Sequence, residues 1–323
     1  MAELRPTPTV EKTVSRVKVI LEDPPVSWEV ILGWTLVSPI IVIYVLAAIA
    51  PIIFSLFVSV HEIPLGSTDW IYVGAENYLS LFQEPEFWHS LRRGIVYMGG
   101  STLLQLFVGV WIALVINSLT KAKNRWVRIL STLVFAAYLI PTIIITLVAM
   151  FMMDPFVGVL HQAVAATGLW DPNRYLLGNT DLAMPIVILV GSWKYSIFIT
   201  IFTIAQLRSI PETFYEAAMI DGATRWEMFR DITLPRIKGA ILVAVFLRSI
   251  FMFNKFDLIW QLTQGGPGTA TTTVPIFAFQ QVFMRSSYGT GNAIAIIMFS
   301  TLAAGGLLYF RFFNPSEEVE TEL

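Results

Sequence analysis

The sequence predicts an all-α membrane protein of six spanning helices. Three observations lead there: few charges, long runs without any charge, and a lopsided distribution of Lys and Arg among the connecting segments. Of 323 residues, 55% are hydrophobic and only 14% charged, with a mean hydropathy of +0.68. Soluble domains carry roughly a quarter charged residues, so this composition points to lipid as the solvent.

A spanning helix needs about 20 apolar residues. Four runs meet this without a charge: Val30 to Val60, Gly94 to Thr120, Ile129 to Met153 and Ser286 to Phe310. Two further runs are interrupted. Leu182 to Leu207 contains Lys194, and Gly239 to Leu262 contains Arg248, Lys255 and Asp257. All six are read as spans. Pro39 and Pro51 fall inside the first run, where kinks are expected because proline removes a helix hydrogen bond and crowds the preceding turn.

Lys and Arg set the orientation. The N-terminal tail, the segments after the second and fourth spans and the end of the sixth together hold fourteen of them. The opposite side holds four, Arg92, Arg93, Arg174 and Arg285. Both termini are therefore expected in the cytoplasm. The first 27 residues show no short apolar core with a cleavage site, so the first helix is expected to act as its own insertion signal. Residues 1–29 form a cytoplasmic tail in which Val10, Val14, Val17 and Leu21 recur at helical spacing. That pattern suits an amphipathic helix on the membrane surface or one packed on the protein's own loops. Residues 313–323, with Glu317, Glu318, Glu320 and Glu322, read as an acidic solvated tail.

Several function classes fall away. The chain has no cysteine, and His61, His89 and His161 lie far apart. Thiolate chemistry and histidine-paired metal sites are therefore not expected. The helices contain no serine–histidine or paired-aspartate arrangement that would suit an intramembrane enzyme. No Gly-x-x-x-x-Gly-Lys-Ser/Thr phosphate loop is present; Gly265 to Gly268 lacks the lysine and lies on the expected outer side. Nothing suggests a nucleic-acid partner.

The segment 208–238 between the fourth and fifth spans is the most informative. Pro211 and Glu212 suit a helix start, and Gly222 suits a chain reversal. A second short helix from Thr224 would show Trp226, Phe229 and Ile232 on one side, with Pro235 ending it. Exposed aromatics on a short cytoplasmic helix suit a protein contact; a tight connector packed on the membrane helices is the alternative.

Glu216-Ala217-Ala218, Asp221-Gly222-Ala223 and Ile232-Thr233-Leu234-Pro235 resemble, with their spacing, the EAA loop of binding-protein-dependent ABC importer permeases. Glu76-Asn77-Tyr78, Phe87-Trp88, Gly191-Ser192-Trp193-Lys194 and the stretch Phe253 to Trp260 extend the resemblance over roughly residues 30 to 312. It is closest to the branch holding the larger membrane subunit of the maltose transporter and its glycerol-phosphate relatives, in a plain six-helix form. The resemblance implies the type I importer permease fold in a prokaryotic cytoplasmic (inner) membrane. It implies a second homologous permease, two ATPase subunits that bind ATP and magnesium, and an extracytoplasmic binding protein. Glu216, Ala217, Ala218, Asp221, Gly222, Ala223, Trp226 and Phe229 would then meet the ATPase. No cofactor is expected in this chain.

Charged side chains within spans usually face a bundle interior or a water-filled path. Arg248 and Lys255 are seven apart, with Phe251 and Met252 between them on the same face of one continuous helix. Asp257 would then point elsewhere and not pair with Lys255. The resemblance places the substrate path at Lys194, Tyr195, Phe198, Arg248, Phe251, Met252 and Lys255. A sugar or polyol is the expected cargo, and three cations also allow an anionic sugar derivative or phosphate ester. Pairing of these charges with each other or with the partner permease is the structural alternative. Arg248, Lys255 and Asp257 would also suit an ion-coupled secondary transporter, but that reading leaves the loop motif unexplained and lacks matching interrupted helices. A homodimer of permeases stays open.

Overall fold

The computed structural model describes residues 27–64, 69–121, 125–168, 171 and 174–313. The amphipathic pattern at Val10 to Leu21 and the acidic tail lie outside the described residues. The chain divides into two compact units, the first ending at Phe57 and the second starting at Val58.

The first unit is helical. α1 (Trp28–Tyr44) is capped by the Ser27 hydroxyl, which accepts from the Val30 amide at 3.4 Å. It runs through Pro39 and passes into a π-helical turn, Val45–Ile49, before α2 (Ala50–Ser59). Pro51 follows that turn by two residues, and its ring and missing N–H disfavour a regular α turn before it.

The second unit starts at the end of that helix. A small antiparallel hairpin pairs β1 (His61–Glu62) with β2 (Ile71–Tyr72). α3 (Glu76–Gln83) follows, and the Asn77 amide donates to the carbonyls of Ser59 and His61 at 2.9 and 3.1 Å. Asn77 of the Glu76-Asn77-Tyr78 motif thus ties α3 to the end of α2 and the start of the hairpin.

The long helices α4 (Pro85–Lys121) and α8 (Thr180–Ser209) lie along one another and form the centre of the fold. Asn179 caps α8 by accepting from the Asp181 and Leu182 amides at 2.8 and 3.1 Å. The α4–α8 contact is close at Gly109, where an added Cβ would stand 2.6 Å from the Ser196 carbonyl oxygen and 2.9 Å from Ile199 Cβ. The Thr200 hydroxyl donates across this contact to the Gly109 carbonyl at 3.0 Å. Small residues allow such approach where lipid supplies no drive to associate.

Two expected spans are broken. α5 (Arg125–Tyr138) and α6 (Thr142–Met152) meet at 100°, not in one straight helix. Pro141, at φ −55° and ψ 143°, is extended and starts the new direction. The fifth span also breaks. α11 (Leu234–Phe253) stops at Asn254, and α12 (Asp257–Thr263) departs at 48°. Among the described residues, four helices are long and apolar enough to cross a membrane, and six spans result if each bent pair counts as one. α7 (Val159–Ala166) lies between α6 and α8. After α12 come α13 (Val274–Phe279), a π turn, and α14 (Tyr288–Phe312). α11 packs against both α4 and α8, with Tyr97, Val187, Met252, Leu258 and Ile259 buried between these elements.

Between α8 and α11 lie α9 (Glu212–Ile220) and α10 (Arg225–Met228). Here one expectation is corrected. Pro235 does not end the second short helix, which passes through a π turn, Phe229–Thr233, directly into α11. The wider turn accommodates the proline at the first positions of α11.

Candidate functional site

Two groups of the expected residues are brought together by the fold. The first is the loop surface. Gly222 adopts φ +79° after α9, with no atom within 4 Å of the Cβ direction. It is a left-handed reversal that L side chains resist. Thr224 then caps α10: its hydroxyl accepts from the Glu227 amide at 3.3 Å, and Glu227 Oε2 accepts from the Thr224 amide at 2.7 Å. This reciprocal pair satisfies two donors that a helix start would otherwise leave unpaired. The Thr224 backbone and hydroxyl hold the Glu227 carboxyl below the usual glutamate range. Glu216, Ala217, Asp221, Gly222 and Trp226 are exposed, while Ala218, Ala223 and Phe229 are partly buried.

Large apolar side chains stand out from this surface. Ile220 is 87% exposed and Trp226 66%, and Trp226 packs on Phe229 with ring centroids 5.6 Å apart. From below, the Tyr215 hydroxyl meets Thr233 Oγ1 at 2.9 Å, and the Arg236 guanidinium lies 4.0 Å over the Phe214 ring. The loop is thus anchored on one side and exposes Ile220 and Trp226 on the other.

The second group surrounds one ring. Tyr195, on α8, is approached by three cations: Lys255 at 4.3 Å, Arg248 at 4.9 Å and Lys194 at 5.3 Å from its centroid. Arg248 also lies 5.4 Å from the Phe198 ring and 5.8 Å from Phe251, and those two rings meet edge to face at 6.1 Å. Such contacts are strongest where water is excluded. Arg248 and Lys194 are 3% and 5% exposed; Phe251, at 49%, is the open side of the cluster.

The polar partners come from elements the sequence did not point to. Arg248 Nε donates to Gln105 Oε1 on α4 at 2.7 Å. Lys194 Nζ donates to the Ile140 carbonyl at 2.7 Å and to Thr142 Oγ1 at 3.1 Å, both at the α5–α6 break. The Tyr195 hydroxyl joins the same Thr142 oxygen at 3.1 Å. Met252 is buried and receives the Gln105 amide on its sulfur at 3.2 Å. A lone glutamine in the uncharged run Gly94 to Thr120 was the available signal for Gln105.

The expectation that Lys255 and Asp257 do not pair is also corrected. Lys255 Nζ lies 2.8 Å from Asp257 Oδ1. The helix ends before Lys255 and a new one starts at Asp257, so the spacing rule for one continuous helix does not apply. Lys255 still faces the Tyr195 ring from the break.

Residues 105–316 match the family described as "Binding-protein-dependent transport system inner membrane component". The chain is 31% identical over 280 residues to the trehalose/maltose transport system permease protein MalF of Thermococcus litoralis, covering 87% of this chain and 92% of that protein. It is 30% identical over 276 residues to the probable ABC transporter permease protein YurN of Bacillus subtilis, covering 85% and 94%. Among solved structures, a chain of a bacterial alginate ABC transporter, in complex with an alginate pentasaccharide-bound periplasmic protein, superposes with a TM-score of 0.76 at 24% identity. The superposition covers 91% of this chain and 95% of that one, a likeness of fold.

Proposed function

Since the chain belongs to the family of binding-protein-dependent transport system inner membrane components, we propose that it forms half of the translocation path of an ABC importer for a sugar or polyol. The fold is that of type I importer permeases, and the chain is a transport subunit rather than an enzyme. It is an inner-membrane protein. Its cargo is delivered by an extracytoplasmic binding protein. A second, homologous permease completes the path, and two ATPase subunits bind ATP and magnesium below. Both termini lie in the cytoplasm, in keeping with the excess of Lys and Arg on that side. The trehalose/maltose relative supports the saccharide class.

The observation that carries the reading is the 210–235 surface. A left-handed turn at Gly222 and a capped helix at Thr224 present Ile220 and Trp226 with most of their surface exposed. Closure of the ATPases would move this surface and shift the permease between inward-facing and outward-facing states.

The test is to purify the tagged chain from its native host in mild detergent and identify every co-purifying protein by mass spectrometry. An ATPase and a second permease are expected. The chain alone, even after crosslinking, would overturn the reading and return Arg248, Lys255 and Asp257 to consideration as ion-coupling groups. An ATPase with only this permease would identify a homodimer.

A further inference from the structure

The Tyr195 cluster holds three cations and one carboxylate, and that carboxylate, Asp257, is already engaged by Lys255 at 2.8 Å. Among the described residues, no carboxylate lies within ion-pair distance of Lys194 or Arg248. Both are nevertheless more than nine-tenths buried. A buried cation without a counter-charge is costly, and within a membrane-spanning bundle such a group marks a site of use.

The hydrogen-bonding balance points the same way. The acceptors that Arg248 and Lys194 reach are all neutral. Gln105 Oε1 takes Arg248 Nε, and the Ile140 carbonyl and the Thr142 hydroxyl take two of the three Lys194 donors. Donors are left over on both cations: the third Lys194 N–H and the far edge of the Arg248 guanidinium, whose other contact is the Met252 sulfur at 3.5 Å. A neutral saccharide offers hydroxyls that need acceptors as well as donors. An oxyanion needs donors alone, and a guanidinium fork with an ammonium beside it matches its geometry. Beside these donors stand two apolar rings. Phe198 and Phe251 lie 5.4 and 5.8 Å from the guanidinium carbon, and Phe251 faces outward. A pyranose C–H face and an acidic substituent on the same sugar would reach both anchors.

We infer that the cargo of this permease is an anionic saccharide, a sugar bearing a carboxylate, sulfonate or phosphate group, whose acidic group is received by Arg248 and Lys194 while its ring lies against Phe251. The inference rests on the importer reading above and narrows its substrate class.

The experiment uses the complete importer, this chain with its co-purified permease and ATPases, in lipid nanodiscs. Two radiolabelled probes of equal length are compared, a neutral glucose trisaccharide and a trisaccharide of uronic acids. Retention of the uronate at least about tenfold better than the neutral probe, a difference of ~1.4 kcal/mol, is expected. Arg248→Gln and Lys194→Gln should each abolish that preference, lowering uronate retention far more than neutral-probe retention, and Arg248→Lys should restore part of it. Size-exclusion chromatography of each variant shows whether the complex stays assembled. A merely structural role for Arg248 would lower retention of both probes together.

Equal retention of the two probes, preference for the neutral one, or a preference that survives both glutamine substitutions overturns the inference. ATP hydrolysis stimulated by the binding protein is measured on the same nanodiscs. A complex that responds to its binding protein yet shows no acid preference sinks the anionic class and leaves the importer reading standing. A preparation without bound ATPase sinks both.

Discussion

Arg248 Nε donates to Gln105 Oε1 at 2.7 Å, joining α11 to α4 through a charged group that is 3% exposed. A neutral amide is the nearest polar partner of a buried guanidinium here, so its removal should be felt. Gln105→Leu leaves the cation without that acceptor and is expected to cost about 1–3 kcal/mol. Adding Arg248→Met should recover most of this, because two apolar groups of similar shape replace the polar pair. Thermal melting of the purified complex gives the double-mutant cycle, and additive losses would refute the coupling. The double variant should melt normally and still fail in uptake, which separates the structural from the transport role.

Lys255 Nζ lies both 2.8 Å from Asp257 Oδ1 and 4.3 Å from the Tyr195 ring. Lys255→Ala is expected to lower uptake while the complex still assembles. If the lysine serves only to neutralise Asp257, then Lys255→Ala with Asp257→Asn would restore uptake. Persistent loss in the double variant places Lys255 on the path, and unchanged kinetics in the single variant removes it.

The spans were legible because an uncharged run in this composition has one physical use. The breaks were not: the uncharged run continues through Pro141, and the charges after Asn254 read as polar positions within one helix, while the backbone turns at both places. The second break put Lys255 outside α11 and made its pairing with Asp257 possible. The residues proposed for the path stand out in the sequence as charges and aromatics in two spans, and the fold gathers them around Tyr195 and Arg248. Gln105 and Thr142 were hidden, since neither carries a charge and their role depends on packing between distant segments. The reversal at Gly222 was legible from chemistry alone, and Thr224 with Glu227 three positions later carried an unused capping signal.

Gly109 and Gly99 lie on the same helix and make opposite demands. An added methyl at Gly109 meets the Ser196 carbonyl oxygen at 2.6 Å, whereas at Gly99 nothing lies within 4 Å. Gly109→Ala should force α4 and α8 apart and cost about 1–3 kcal/mol. Gly99→Ala should be neutral or stabilise by roughly 0.5–1 kcal/mol through helix propensity. Melting temperatures of the two variants check this, and equal values would contradict the close contact.

The Glu227 carboxylate accepts from Thr224 and is held below the usual glutamate value of 4.5. A depressed folded value means that its contribution is fully present above that usual value and is lost as pH falls through the lower folded one. Amide exchange at Glu227 and Met228, corrected for the intrinsic rate, should be flat at neutral pH and deprotected in acid. Glu227→Gln should weaken protection at neutral pH and flatten the acid step. A wild-type profile in that variant would show that the carboxylate does not hold the cap.

Gly222 separates the loop's fold from its use. Its φ of +79° favours glycine, and among the described residues nothing lies within 4 Å of its Cβ direction. Gly222→Asp therefore adds strain of roughly 1–2 kcal/mol at one exposed turn and places a charged side chain where an ATPase would dock. The membrane helices do not depend on that turn, so the variant should insert and melt like the wild type. ATPase co-purification and coupled uptake should fall sharply. Asn is the side chain that best tolerates the left-handed region, so Gly222→Asn relieves the backbone strain and leaves the bulk. Loss of coupling in both variants assigns the effect to occupied space at the docking face, and recovery in Gly222→Asn assigns it to the backbone. Normal transport with bound ATPase in Gly222→Asp would mean that the turn does not carry the coupling.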